Sequence, residues 1–286
     1  MNSSVSKKVC AFVLVVSVFF SVISTSCGKR SRPNDNVVVF DTIQVNKIES
    51  INYKKSKLNC NLQIVFIYPV ACKNSSLLSD LQKIFVEKIF PNKYANLSPQ
   101  EAMDNFSTQY IEDFKSIKAE DFFEEDYILE DENSFIYELN LENEIRYNKN
   151  NLISFVVKNI NYEGGAHASH SIYSYVIDLN TGKVLSEEDF AGKNYKKNLA
   201  PIIVQKIAAA KGLSNVSLLE SVGGYTAIKD IVPNENFIID EKGITYYFNE
   251  YEIAAYFVGI TEVFIPYEEL KAYITNDNPI SSLAGF

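Results

Sequence analysis

The amino terminus decides which residues take part in the fold at all. A short start carrying Lys7 and Lys8 leads into an apolar run at residues 9–23, interrupted only by Ser17 and Ser21, and Ser24, Thr25 and Ser26 then precede Cys27. A basic start, an apolar centre and a small-residue end make a secretion signal. The run is shorter than the ~20 apolar residues of a spanning helix, and it closes on small polar residues, which suits a cleavage site and not a stop-transfer segment. Residues 1–26 are therefore expected to be removed, leaving the rest to fold outside the cytoplasm.

Cys27 resembles the cysteine of a bacterial lipobox, although Ser24 stands three positions before it where Leu is usual. The alternative is an ordinary signal peptide followed by an incidental thiol. A free thiol beside a cleavage site is awkward in an oxidising compartment, and thioether-linked lipid removes that difficulty. The expectation is a lipoprotein held on a bacterial membrane by lipid on Cys27. Lys29, Arg30, Arg32, Pro33, Asn34, Asp35 and Asn36 follow, too polar to bury a core. Residues 27–47 thus read as a tether running into a first extended segment.

Loss of residues 1–26 removes Lys7 and Lys8 and no acid, so 25 basic residues face 36 acidic ones and the net charge becomes −11. The three arginines, Arg30, Arg32 and Arg146, make no basic stripe, which excludes nucleic acid as a partner class. A basic partner is favoured by charge steering; the plainer reading is that the acidity serves solubility. A hydrophobic share of 47% supports a real core, and 18 Tyr and 19 Phe without Trp favour pleated sheet. Cys60 and Cys72 flank the apolar segment 62–70. They form a disulfide if that segment folds back as a hairpin; one straight strand would hold them beyond the about 7 Å that the bond tolerates. No metal motif uses them.

Along the chain, residues 37–45 and 51–71 read as a pair of extended segments, with Pro69 marking an edge or an end. Leu77, Leu78, Leu81, Ile84, Phe85 and Ile89 form a helical stripe ending at Pro91. Ser98-Pro99-Gln100-Glu101 is a capping box that starts a second helix. Residues 120–132 are densely acidic without calcium-loop spacing and read as a solvated segment. Runs at 134–147, 152–162 and 171–179 predict an antiparallel meander. A helix from about residue 190 to Gly212, strands near 236–239, 244–249 and 262–266, a short helix at 267–274 and a loose tail at 275–286 complete the pattern.

Tyr162-Glu163-Gly164-Gly165-Ala166-His167 resembles the Tyr-x-Gly-Gly-Ala-His segment of the extracytoplasmic domain in RsiV-type anti-sigma factors and in the amino-terminal part of PdaC-type peptidoglycan deacetylases. Asp178-Leu179-Asn180-Thr181-Gly182-Lys183 with Glu188-Asp189-Phe190 is similar to the Asp-x-x-Thr-Gly-Lys stretch of that family. The segment from Phe248 to Ala254, with Gly259 and Val263-Phe264-Ile265-Pro266-Tyr267, is similar to its carboxy-terminal signature. Ala255 and Ala168 depart from the pattern, which commonly has Pro and Gly or Pro there. The resemblance implies an α+β fold, antiparallel sheets packed by a few helices, with two sequential modules forming one RsiV-like unit. It implies protein binding too, because RsiV-type domains recognise lysozyme. The cytoplasmic sigma-binding part and the deacetylase domain are not expected here; only the shared domain is.

The two histidines, His167 and His170, fall in the loop between two predicted strands, so any histidine chemistry must use them. Glu163 would be the third ligand or base of a zinc site. The competing reading is a tight loop in which Gly164 and Gly165 supply backbone freedom and His167 a hydrogen bond. The glycines do not lead into a helix, as a phosphate cradle requires, and no Gly-x-Ser-x-Gly elbow occurs. Tyr162, Tyr173, Tyr175, Tyr246, Tyr247, Tyr251 and Tyr256 offer an aromatic surface or, for most of them, core.

The expectation is a non-enzymatic, cofactor-free envelope lipoprotein with modules at 48–167 and 168–275 and a tail at 276–286. Its binding residues are Tyr162, Gly164, Gly165, Ala166, His167, Tyr251 and Glu252. Its partner is a protein such as lysozyme, from the envelope or a host, or a cell-wall fragment. The alternative is a metal-dependent hydrolase or deacetylase accessory using His167 and His170.

Overall fold

The computed structural model describes residues 37–53, 56–118, 133–164, 166–222, 224–276 and 278–285. The expected signal segment, Cys27 and tether up to residue 36, the acidic segment 119–132 and Gly165 lie outside the described residues. No helix among the described residues is long and apolar enough to cross a membrane.

Two long strands open the fold. β1 (Val38–Tyr53) and β2 (Ser56–Cys72) pair antiparallel over their whole length, as their β-branched and aromatic runs predict. β1 forms an edge of the sheet, and Asp41, Lys47 and Glu49 along it discourage pairing with another chain. β2 is continuous from Cys60 to Cys72, so the segment does not fold back as the disulfide required, and that pairing is corrected: both thiols are free. Twelve steps of extended chain put their Cα atoms roughly 40 Å apart. Burial, then the Glu49 carboxylate, pushes the Cys60 thiol up to about 11.

Helix α1 (Leu78–Ile89) buries Leu81, Phe85, Val86 and Ile89, one face at helical spacing. It stops at Phe90, which is extended ahead of Pro91, as the residue before a proline prefers. Helix α2 (Pro99–Ser116) begins at the expected capping box: the Ser98 N–H donates to the Glu101 carboxylate at 3.0 Å, and the Glu101 N–H donates to Ser98 Oγ at 3.3 Å. The chain then returns to the same sheet as β3 (Asn133–Lys149), which pairs with β2 in parallel. A parallel neighbour needs a long crossover, and the segment carrying α1 and α2 supplies it. This pairing departs from the purely antiparallel arrangement expected. Where it ends, Asn143 takes over: its Oδ1 accepts from the Ile67 N–H at 2.7 Å and its Nδ2 donates to the Ile67 carbonyl at 2.8 Å.

β3, β4 (Leu152–Tyr162) and β5 (Ser169–Asp178) form the expected meander, and β6 (Lys183–Val184) completes a six-stranded sheet in the order β1 to β6. Asn150 and Asn151 turn β3 into β4 with φ of 52° and 58°, the left-handed pair that a two-residue hairpin requires. β4 is buried on both faces from Leu152 to Val157. Ile153, Phe155 and Val157 join the first core beneath the helices, where Phe155 stacks on Phe85 at 4.3 Å. Leu152 and Val156 pack on the opposite side, in clusters shared with the second module.

That second module contains α3 (Glu187–Ala191), α4 (Tyr195–Ala210) and an antiparallel sheet of β7 (Phe237–Ile239), β8 (Gly243–Phe248) and β9 (Thr261–Pro266). Two short helices follow, α5 (Tyr267–Leu270) and α6 (Ser281–Ala284). The loose tail expected at 275–286 is not loose over its described residues. Ile280 is fully buried and Ala284 nearly so, because Ile280, Leu283 and Ala284 return an apolar face to the second core. The architecture is α+β with two sheets.

Candidate binding site

The site forms where β5 meets the turn after β8. Past the short pairing with β6, no strand among the described residues hydrogen-bonds to the outer edge of β5, and an edge of that kind leaves backbone groups that need partners. Three side chains of the second module supply them in register. Glu250 Oε2 accepts the His170 N–H at 3.0 Å, Asn249 Oδ1 accepts the Ile172 N–H at 2.7 Å, and Asn236 Oδ1 accepts the Ser174 N–H at 2.7 Å. Asn236 and Asn249 both return a donor to the Ile172 carbonyl. Alternate residues of a strand point their N–H groups to one edge, so these three side chains act as a surrogate strand.

Beside this seam, His167, Ala168 and His170 are held by the second module. Glu250 also meets His170 Nδ1 at 2.9 Å, with its own side chain largely buried. Tyr256 donates its hydroxyl hydrogen to the Ala168 carbonyl at 3.1 Å, and the His167 ring stacks on Tyr256 at 3.7 Å and 18°. Tyr251 stands 5.7 Å from Tyr256, its hydroxyl 3.5 Å from His167 Nε2. The Tyr251 backbone is left-handed, with φ of 65°, and its side chain is 64% exposed. Left-handed backbone is costly for an aromatic residue, and strain of that kind is kept where a side chain must be aimed. Phe257, 76% exposed, lies alongside Gly224, where a Cβ would sit 2.7 Å from the ring. The result is a stacked group of rings, exposed His167 and Tyr251 around half-buried Tyr256, on a hydrogen-bonded base.

The expected site residues divide in two. His167 and Tyr251 come together across a sequence separation of 84. Gly164, with φ of 90°, and exposed Ala166 shape the loop, and Tyr162 ends β4 opposite Glu138. Glu252 is used internally: it accepts from the Asn249 N–H at 2.9 Å and from Asn234 at 2.6 Å, which closes the turn that presents Tyr251. Of the other tyrosines, Tyr246 and Tyr247 are core, while Tyr173 is half exposed. Glu250 and Phe257 carry no such expectation, although the polar pair Asn249-Glu250 directly after a buried strand was the signal available for Glu250. His170 faces Glu250 and His167 faces Tyr256, and among the described residues no three His, Cys, Asp or Glu side chains gather closely enough to hold a metal.

Residues 51–170 match the family described as deacetylase PdaC, and residues 188–268 match the protein family of unknown function DUF3298. The fold is similar to a DUF3298-family protein of Bacteroides fragilis NCTC 9343, with a TM-score of 0.75 and 29% identity over 87% of this chain and 98% of that one. A DUF3298-family protein of Pseudomonas aeruginosa PAO1 shares the fold at a TM-score of 0.56 and 14% identity, over 83% and 95% of the two chains. No curated protein matches in sequence.

Proposed function

From a chain that carries a PdaC-type segment followed by a DUF3298-type segment, we infer a non-catalytic binding domain of the bacterial cell envelope, anchored by lipid on Cys27. Its partner is a basic protein of the lysozyme kind, met by the ring cluster of His167, Tyr251 and Tyr256. That ring cluster is the observation that carries the reading. Exposed aromatic side chains on a rigid base are what concentrate binding energy at interfaces, since they bury large area at low entropic cost. Charge works in the same direction: an acidic domain steers a basic partner toward it. A cell-wall saccharide would use the same rings by stacking, and it is the competing ligand.

Equilibrium binding of the protein to a panel of lysozymes, at low and at physiological salt, tests this. Saturable binding that survives salt and weakens by about tenfold or more in Tyr251→Ala supports the reading, since a central aromatic anchor contributes at least that much. Binding that vanishes with salt is nonspecific charge attraction and would sink it, as would no binding; cell-wall fragments would be titrated next.

A further inference from the structure

Away from the ring cluster, the first module contains a cleft of about 360 Å³ between the β3–β4 face and helix α2. Asn159 and Asn161 alternate along β4 on the same face, opposite Leu141 and Leu139 of β3, and Glu163 continues the alternation. Phe106 and Tyr110, one helical turn apart on α2, form the opposite wall. Asn159 Oδ1, Asn161 Oδ1 and the Tyr110 hydroxyl are all buried without a hydrogen-bond partner among the described residues. Orphaned buried polar atoms cost about 1–3 kcal/mol each, so three in one cleft are a reason to look for a ligand.

The orphans specify what would satisfy them. Asn161 Nδ2 donates to Glu163 Oε1 at 3.2 Å, which orients the amide and leaves its oxygen as the free acceptor. The two amide oxygens and the Glu163 carboxylate therefore offer acceptors, and Tyr110 is the donor-capable exception. Burial, followed by the charges of Cys60 and Glu163, holds the Tyr110 phenol protonated far above its ordinary range. Among the described residues no Lys or Arg lines the cleft, so an anion would find no cation there to neutralise it. A polyol would need donors that the cleft mostly lacks.

We propose that this cleft binds a primary ammonium group carried on an apolar stem. An ammonium has three N–H donors and no acceptor, which matches Asn159 Oδ1, Asn161 Oδ1 and the Glu163 carboxylate. The stem lies against Leu139 and Leu141, under rings of Phe106 and Tyr110 that also attract a cation. The ammonium comes either from a free amine or from a lysine side chain of a partner, and the two sources share this chemistry.

The test is calorimetric titration of the full chain with phenethylammonium, with its neutral counterpart 2-phenylethanol, and with a short neutral peptide carrying one lysine. Saturable binding of the ammonium or the lysine peptide, with the alcohol weaker by about tenfold or more, is expected for a charge-assisted site. Glu163→Gln, at an exposed position, should weaken binding by about tenfold while leaving the melting temperature unchanged. Binding by the free amine identifies a small molecule as the source, and binding by the peptide alone identifies a partner protein. Equal binding of alcohol and ammonium, insensitivity to Glu163→Gln, or no binding by either probe overturns the proposal.

Discussion

The core beneath α1 and α2 is built from rings and branched aliphatics, whereas the core of the second module encloses a carboxyl group. In the first, Phe85 stacks on Phe155 and Phe66 meets Phe90 edge-on. In the second, Glu187 is fully buried. Its N–H donates to Glu235 Oε2 at 2.9 Å, and the Glu235 N–H donates back to Glu187 Oε1 at 3.2 Å. The remaining Glu187 oxygen and the Tyr246 hydroxyl are buried beside each other in that core. The first core is held by shape, so truncation should break it at any pH. The second is held partly by a proton.

Truncating the aromatic stack gives the largest expected effect. Phe85→Ala removes a fully buried ring facing Phe40 and Phe155 and should cost about 3–5 kcal/mol, equally at pH 5 and pH 9. Urea unfolding at the two pH values checks both halves of that statement.

The second core predicts a pH dependence that the first lacks. Burial, then the Glu235 charge, pushes the Glu187 carboxyl from 4.5 to about 8. Between those values the folded protein holds a proton that the unfolded chain has released, so raising the pH favours unfolding. This contribution to stability is fully present below about pH 4.5, falls as the pH rises, and levels above about pH 8. The loss should be about 2–3 kcal/mol once relaxation around the buried group is allowed for. Glu187→Gln cannot ionise, and its stability relative to the natural protein should rise across that window. A difference independent of pH would show that Glu187 is ionised in the folded state.

Between the cores runs the side-chain seam, where Asn236 joins β5 to the second module. Asn236→Ala orphans the Ser174 N–H and weakens the bonding of the Ile172 and Tyr247 carbonyls. It should cost about 1–2 kcal/mol, after which amide exchange at Ser174 should accelerate more than at Phe155. Equal acceleration at both would mean that the two modules open as one.

These features differ in how far the sequence disclosed them. The α1 stripe, the Ser98 capping box and the meander follow from local rules of spacing, capping and turn chemistry, and they stand as expected. The parallel β2–β3 pair does not, because strand patterns carry no direction and the chain between them is an excursion that returns to the same sheet. Glu187 reads as an ordinary acid in the first turn of a helix; its burial is set by Tyr246 and Glu235, far along the chain. Ile280 looks like part of a polar tail until α5 brings it over the second core. In the loop, Gly164 and His167 were visible as a motif, but Glu250 and Tyr256, which hold the neighbouring His170 and Ala168, come from a segment about 80–90 residues later. Tyr110 and Asn161 belong to elements that look complete without each other, so the cleft between them has no signature in the sequence.

The smallest expected effect separates the seam from the ring cluster above it. His170 keeps 40% of its side chain exposed, and its backbone N–H still reaches Glu250 when the ring is removed. A partly exposed side-chain hydrogen bond contributes little, so His170→Ala should cost about 0.5 kcal/mol. Glu250→Ala removes the acceptor of that N–H as well as the ring partner, and its largely buried carboxylate cannot be replaced by water without moving the turn. The double-mutant cycle therefore assigns most of the Glu250 effect to the backbone contact: the coupling to His170 stays near the cost of His170→Ala, and Glu250→Ala alone exceeds it. If the two single costs were equal and fully coupled, the side-chain pair would be what fastens the loop, and the surrogate strand formed by Glu250, Asn249 and Asn236 would end at Asn249.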